Sequence, residues 1–392
     1  MKAISFLGTT DYKNTDYKFP GGKLIHTRFF PVAVNNYYQP DEHYVFMTED
    51  ARSMHSQRLS EMIKFNEVII PLGRNEDQFW EIFDDILQVV HNDDEVILDF
   101  TYGFRSQPVL TIAALIFMKA LKNIKIKHVI YGAFEAKENE VVPVFDLTSF
   151  IELIDWSYAV NDFTKYGNVN SLSKIMTDIH RNSYIDKHPA KAQQLINKGT
   201  LLKNITNALS VVNIKSAFEY ASIFPNKMEG LISDLEKIKQ TKPLALLFGH
   251  IEKRISPISE AENQIFSAKG LKAQLEIIKW YIETNQFQQA ITLLCEFFIT
   301  LKCIEKNLEP DSSESRIKVS QELGGSVQKL RDKKEIENKE EIVLWNKLIE
   351  IRNNINHAGM KKKNPDPLSQ INEIKELYVK TSDYYMIWSE KF

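Results

Sequence analysis

The residues best equipped for acid–base chemistry lie near the end of the chain, in the segment Ile351-Arg352-Asn353-Asn354-Ile355-Asn356-His357. Arg352 carries a planar, permanently charged guanidinium that can bind a phosphate oxygen, and His357 can donate or accept a proton near neutral pH. Together they are sufficient polar equipment for cleavage of RNA by its own 2′-hydroxyl. This pair is therefore the first candidate for a reactive site.

The spacing of the pair limits how it can act. Five residues separate Arg352 from His357, which is about 140° on an ideal helix, so the two side chains cannot point the same way from a straight helix. Either a helix begins or ends inside the segment, as the three asparagines and Gly359 indicate, or a second copy of the chain completes the site. From spacing alone, a solvated helix end that carries an arginine and a histidine is the simpler explanation.

Two segments near the N-terminus have the composition of a phosphate-binding crevice. One contains Gly8, Thr9 and Thr10 after a strand-like run, and the other spans Thr101 to Ser106 after a later run. In an open α/β sheet, loops at the carboxyl ends of strands face the ligand. Gly8 and Gly103 allow close backbone approach, the threonines and Ser106 offer hydroxyls, and Arg105 offers a phosphate or base contact. The alternative is two ordinary turns with Arg105 paired to Asp99 or another acid.

The elements that would hold these loops follow from hydropathy patterns. We predict strands at Ala3–Leu7, His43–Met47, Glu67–Ile70, Val96–Phe100 and Lys125–Tyr131. Apolar stripes at helical spacing lie between Phe79 and Val90 and between Val109 and Leu121. This alternation predicts a mostly parallel, Rossmann-like sheet, and Val141 to Phe145 predicts a terminal hairpin with the preceding strand.

The chain becomes helical after Asp146, so the fold class is α/β followed by all-α. The clearest amphipathic helix is predicted from Gln288 to Ile304. Asp311 to Gly325 is rich in Ser, Glu and Gly and predicts a surface loop, whereas the charged run from Arg331 to Glu341 predicts a solvated helix.

Composition excludes several classes of protein. The 392 residues include 49 basic and 52 acidic side chains, so the chain is not a polycation that coats nucleic acid. The two cysteines, Cys295 and Cys303, are expected to be reduced core residues. No signal peptide is visible and the longest apolar run is too short to span a bilayer, so we expect a cytoplasmic protein without membrane contact. Phosphate-loop, dinucleotide and zinc motifs are absent, which favours a site with no metal and no cofactor.

Three segments resemble one known family. Arg352-Asn353 followed after three residues by His357, downstream of the amphipathic Trp280 to Ala290 segment, resembles the HEPN ribonuclease motif of CRISPR-associated CARF-HEPN proteins. Ile4 to Tyr12 and Leu98 to Pro108 resemble the two ligand-facing loops of a CARF domain. The resemblance implies a CARF domain over 1–150, a helical connecting region over 151–270 and a HEPN ribonuclease domain over 271–392.

The resemblance also implies a function in type III CRISPR antiviral defence. A homodimer, or a higher oligomer, would bind a cyclic oligoadenylate, with cyclic tetra-adenylate preferred over cyclic hexa-adenylate. It would then cut single-stranded RNA at a composite, metal-independent site, leave 2′,3′-cyclic phosphate ends, and form no stable complex with DNA. The expected activator-binding residues are Gly8, Thr9, Thr10, Asp11, Thr101, Gly103, Phe104, Arg105 and Ser106. The expected catalytic residues are Arg352, His357 and Asn353, with weaker RNA contacts from Asn356, Lys361 and Lys362.

Other functions remain open at this point. The chain could be a non-catalytic CARF sensor, although no short two-helix unit with a convincing recognition helix is evident for DNA binding. A metal-dependent nuclease would require clustered acidic residues on a β-rich domain, whereas the second half is predicted to be helical. The CARF loops could also degrade their own cyclic activator, because threonine hydroxyls and Arg105 would lie beside a strained ring.

Overall fold

The chain folds into two units, Met1–Leu153 and Ile154–Phe392. The structure is a computed structural model that describes residues 1–103, 106–185, 191–224, 242–360 and 365–391. The sequence-based boundary at residue 150 lies close to the division between the units. The further boundary at residue 270 lies inside the second unit and stays a prediction.

The first unit is built on an eight-stranded sheet with the order β3-β2-β8-β7-β6-β1-β4-β5. The strands are β1 (Lys2–Leu7), β2 (Thr15–Lys18), β3 (Leu24–Thr27), β4 (Glu42–Met47), β5 (Asn66–Ile69), β6 (Glu95–Asp99), β7 (Lys125–Gly132) and β8 (Val141–Asp146). The strands from β5 to β7 are all parallel, and β7 pairs antiparallel with β8. The predicted parallel sheet and its terminal hairpin are therefore confirmed.

Helices cover the parallel part of the sheet and explain why its central strand, β1, is buried. They are α1 (Phe30–Tyr38), α2 (Glu49–Ser60), α3 (Glu76–Val89) and α4 (Gln107–Lys122). All six residues of β1 are buried, as expected for a strand that is covered on both faces. Thr48 and Asn75 cap the first turns of α2 and α3 through their side chains.

The β2–β3 hairpin was not predicted from the sequence. β2 joins the sheet by pairing parallel with β8, which lies more than 120 residues further along the chain, and antiparallel with β3. Each strand has four residues, and β3 alternates exposed and buried positions. Such short strands carry a weak local signal, so their pairing depends on the sheet edge that β8 provides.

The second unit is helical, in agreement with the sequence. Its helices are α5 (Thr148–Tyr166, which begins in the first unit), α6 (Asn170–Ile185), α7 (Leu195–Ser210), α8 (Ile214–Ser222), α9 (Lys242–Ser259), α10 (Ala268–Glu283), α11 (Phe287–Glu305), α12 (Ser313–Arg331), α13 (Lys339–Asn356) and α14 (Pro367–Ser389). Among the described helices, only α11 is long and apolar enough to cross a membrane, and 67% of its apolar window is buried in the protein. The predicted helix at Gln288–Ile304 is thus a core helix.

The predictions for the segment after α11 were wrong. Residues 313–331, expected in part as a loop, form α12, and most of the expected helix at 331–341 is turn and loop. Val319, Leu323 and Val327 recur every four residues and are buried in the core of this unit. Tertiary burial of that stripe outweighs the low helix propensity of the Gly324-Gly325 pair.

Candidate functional site

The two N-terminal loops meet in one cavity of about 630 Å³ in the first unit. One wall is the segment from Gly8 to Thr15, which follows β1, and the other includes Thr101, Tyr102 and Gly103, which follow β6. Strands β1 and β6 are adjacent and parallel, so their carboxyl ends lie side by side. Phe134, Lys137 and Glu140 from the β7–β8 connection close a third side.

Stacked tyrosines form a rigid side of this cavity. The rings of Tyr12 and Tyr102 stack with their centroids 3.9 Å apart, and the hydroxyls of Tyr102 and Tyr17 are 2.7 Å apart. The backbone N–H of Gly8 donates to the Tyr12 hydroxyl at 2.9 Å. Burial raises the pKa of both Tyr12 and Tyr102, so both hydroxyls are neutral at physiological pH. The arrangement offers flat aromatic surface and hydroxyls rather than charge.

Arg28 fixes the loop that follows β1 through two hydrogen bonds. Its Nε donates to the backbone carbonyl of Tyr12 at 2.6 Å, and its Nη2 donates to Oδ1 of Asp11 at 2.6 Å. His55 Nε2 lies 3.0 Å from the carbonyl oxygen of Thr10. Asp11 therefore lines the cavity, and its carboxylate also stabilises the loop through the ion pair with Arg28.

Asp99 anchors the second loop at the end of β6. Its Oδ1 accepts the backbone N–H of Thr101 at 2.8 Å, and the Thr101 hydroxyl accepts the backbone N–H of Gly132 at 2.9 Å. The carboxyl is fully buried, and burial raises its pKa to about 6. Thr101 is thus held by the end of its own strand, β6, and by the neighbouring strand β7.

The structure brings together most of the predicted activator-binding residues. The predicted positions that line the cavity are Gly8, Thr9, Thr10, Asp11, Thr101 and Gly103. Ser106 is exposed at the N-cap of α4 and is not among the described lining residues. Phe104 and Arg105 lie outside the described residues, as does the alternative pairing of Arg105 with Asp99.

Sequence reasoning missed several residues of this cavity. Tyr12 and Tyr102 lie within the two segments that we singled out, and an aromatic residue close to the glycine of each segment is a signal that could have identified them. Lys137 and Phe134 follow a different strand, and Arg28 follows β3. For these residues the sequence holds no local signal, because the sheet alone brings them to the loops.

Helix α13 ends inside the C-terminal motif. Its last helical residue is Asn356, and His357 is the C-cap, with its backbone N–H bonded to the carbonyl of Asn353 at 3.0 Å. Ala358 and Gly359 follow with positive φ angles of 51° and 70°. The helix thus ends within the motif, but it is continuous from Arg352 to Asn356, so the offset between Arg352 and His357 is still that of a regular helix.

Arg352 and His357 differ in their surroundings. His357 and Asn356 are exposed, whereas Arg352 is partly buried and its Nη2 donates to Oδ1 of Asn353 at 3.1 Å. The Nε of Arg352 is buried and has no hydrogen-bond partner in the described part of the chain. Burial raises the pKa of the nearby Cys295 thiol to about 12, against the opposing effect of the Arg352 charge. Lys361 and Lys362 lie outside the described residues.

Comparison with known proteins accounts for both units in part. Residues 2–135 match the CARF domain of the CRISPR system endoribonuclease Csx1, and residues 152–264 match the second domain of CRISPR-associated protein MJ1674. The chain is 37% identical over 112 residues to CRISPR-associated protein MJ1674 of Methanocaldococcus jannaschii, a span of 28% of this chain and 18% of that relative. The chain is therefore a CRISPR-associated protein with an N-terminal CARF domain.

Proposed function

We propose that the protein is a cyclic oligoadenylate-activated, metal-independent endoribonuclease for single-stranded RNA in type III CRISPR defence. The CARF unit would sense the activator, with cyclic tetra-adenylate preferred over cyclic hexa-adenylate. Residues 271–392 would form the HEPN ribonuclease domain, with no cofactor, no membrane contact and no stable DNA complex. The description of the matched CARF family as that of an endoribonuclease supports this proposal.

The CARF cavity supports the sensing half of the proposal. The side formed by the stacked Tyr12 and Tyr102 suits adenine rings, and the backbone N–H groups and hydroxyls of the cavity suit phosphates. A ring of near-identical nucleotides is matched by a two-fold site in which each protomer presents the same loops. The proposed homodimer, or a higher oligomer built from it, would then bind the activator across its two-fold axis.

The end of α13 is the observation that carries the cleavage half. His357 lies exposed at this helix end, five residues beyond Arg352, whose guanidinium donates to Oδ1 of Asn353. His357 would move a proton at the 2′-hydroxyl or at the 5′-oxygen leaving group, and Arg352 would stabilise charge on the phosphorane-like transition state. Asn356 would contact RNA, and Lys361 and Lys362 would add positive potential. Two such ends, one from each protomer, would form the composite site.

Cleavage of a fluorescent single-stranded RNA tests the proposal. Wild type and His357→Ala are compared in excess EDTA, with cyclic tri-, tetra- and hexa-adenylate added separately. We expect cleavage with one ring only, 2′,3′-cyclic phosphate ends, and a rate at least about a hundredfold lower in His357→Ala. The matched control is His250→Ala, which removes an exposed histidine elsewhere in the helical unit and should keep the wild-type rate. A His357→Ala rate equal to wild type would remove the assigned role.

A further inference from the structure

A separate cavity of about 320 Å³ lies within the helical unit. Its wall comes from the connection between α5 and α6, the C-terminal half of α7, the end of α10 and the start of α11. These helices do not include α13, so the cavity is distinct from the Arg352 and His357 segment. None of the described residues that line it is charged.

Amide side chains dominate the polar lining of this cavity: Asn168, Asn170, Asn207, Gln286 and Gln289. Gln286 Nε2 donates to the carbonyl of Tyr166 at 3.2 Å and to the hydroxyl of Thr284 at 3.1 Å, which fixes the side chain and leaves its Oε1 as an acceptor. Asn207 and Gln289 each present both a donor and an acceptor. The lining can therefore match a ligand that carries both kinds of group and no net charge.

Trp280 brings the edge of a buried indole ring to this cavity. The residue is 5% exposed, and its Nε1 has no hydrogen-bond partner in the described part of the chain. Its Cζ2, on the ring edge that carries Nε1, lies 3.9 Å from the position that a Cβ on Gly167 would occupy, and Gly167 lines the cavity. This Nε1 has no surface open to the cavity, so a ligand that enters past Gly167 would contact the indole edge near Cζ2, which makes Trp280 a local reporter of binding.

The backbone at Gly167 keeps the cavity open. Gly167 has a φ of 68°, and a Cβ there would come within 2.9 Å of Gln286 Nε2. At the rim, the ring of Tyr166 is 58% exposed although it is a large aromatic side chain. A flat ligand that enters past Gly167 would find an aromatic ring to stack on and amides to bond with.

We propose that this cavity binds a single unstacked nucleobase. A nucleobase is flat and uncharged and carries donors and acceptors on its edges, and proteins commonly recognise splayed-out bases through aromatic stacking and edge hydrogen bonds. The volume is at the lower end of the range in which cavities hold small molecules, which limits the occupant to about one base or nucleoside. That the base belongs to a strand of single-stranded RNA rests on the proposed function.

Fluorine NMR on protein labelled with 5-fluorotryptophan tests this inference. The chain has five tryptophans, and Trp280→Phe assigns the resonance of Trp280. The Arg352→Ala, His357→Ala double variant is used throughout, so that binding is measured without cleavage and does not depend on whether the proposed nuclease activity is real. Adenosine, guanosine, cytidine, uridine and unstructured homopolymeric RNA 10-mers are titrated separately. We expect at least one nucleoside to shift the Trp280 resonance and leave the other four in place.

Matched leucine variants locate the binding. Gln289→Leu removes a lining amide and should weaken the affinity for that nucleoside about tenfold, whereas Gln288→Leu, at an exposed neighbouring position, should leave it unchanged. A 10-mer of the same base that shifts Trp280 identifies RNA as the source, and a response to the nucleoside alone identifies a free nucleoside. If no nucleoside and no RNA moves the Trp280 resonance, or if both leucine variants lose binding equally, the inference is overturned.

Discussion

Asp99 shows how a single buried residue serves the candidate activator site. One carboxylate oxygen holds the backbone of Thr101, while the other, Oδ2, has no partner in the described part of the chain. Ser5 is the residue of β1 that pairs with Asp99, and its Oγ lies 2.9 Å from Nε2 of His43. His43 is a second buried titratable group. Burial lowers the pKa of His43 to about 4 and raises that of Asp99 to about 6. At neutral pH the histidine is therefore uncharged, and the carboxylate carries the cost of burial.

We expect Asp99→Asn to change how the stability of the CARF unit depends on pH. The folded state binds the Asp99 proton more tightly than the unfolded state, so the stabilisation is present below about pH 4 and is lost as the pH rises to about 6. Asparagine keeps a carbonyl acceptor for Thr101 and removes the buried charge. Between pH 4 and pH 7 the free energy of unfolding of the variant should rise relative to wild type by up to about 3 kcal/mol.

Urea unfolding of the full chain, read from 5-fluorotryptophan at Trp80, measures this shift. Trp80 is the tryptophan of the first unit, and the other four lie beyond Leu153. The control is Asp50→Asn, an exposed aspartate of α2, which should follow wild type at each pH. If the free energy of unfolding changes with pH in the same way in Asp99→Asn and in wild type, Asp99 does not carry a destabilising charge in the folded protein.

At the scale of the element, α12 shows burial overriding local propensity. A Cβ added to Gly324 or Gly325 would have no heavy atom within 4 Å, so these glycines are not required by space. Gly270, in the first turn of α10, is the opposite case, because a Cβ there would lie 2.1 Å from the carbonyl oxygen of Gln264. We therefore expect a glycine-to-alanine substitution to have opposite effects on stability in α12 and in α10.

Gly325→Ala should stabilise the protein by about 1 kcal/mol, since alanine loses less backbone entropy in a helix than glycine. Gly270→Ala should destabilise it by about 1–3 kcal/mol, since the backbone of the preceding turn must move. Thermal unfolding of the helical unit, followed by circular dichroism at 222 nm, measures both changes. A lower midpoint for Gly325→Ala would show that the α12 glycines have a role beyond helix formation.

At the scale of the whole molecule, the proposed function divides between the units. The CARF unit holds a loop through Arg28, and the helical unit holds the helix end with His357. Changes in the two units should therefore affect different parameters of the same reaction. Activator binding and RNA cleavage can be measured separately on the same variants.

Arg28→Ala should raise the activator concentration for half-maximal RNA cleavage about tenfold, because the first loop loses two charged hydrogen bonds. The rate at saturating activator should stay close to wild type. His357→Ala should do the reverse and lower the saturated rate while the activator affinity is kept. The control for Arg28→Ala is Arg52→Ala, which removes an exposed arginine of α2 that is paired with Glu67 of β5. Loss of the saturated rate alone in Arg28→Ala would contradict a sensing role for this loop.

The sequence by itself determined the elements whose signal is local. The buried β1 run, the stripe of α11 and the change from alternating strands to helices were all visible as hydrophobic periodicity. The candidate loops were visible too, because glycines and hydroxyl residues follow strand-like runs. Periodicity works for these elements because each buries one face against a neighbour, whichever neighbour it is.

Only the tertiary structure decided which distant segments meet. The short β2 pairs with β8, Arg28 reaches the backbone of Tyr12, and the amide-lined cavity takes residues from four separate stretches of chain. The helix α12 likewise forms where composition predicted a loop. These features depend on contacts between residues far apart in sequence. Such contacts stabilise the chain only once the sheet and the helical core have formed, so a local sequence pattern does not predict them.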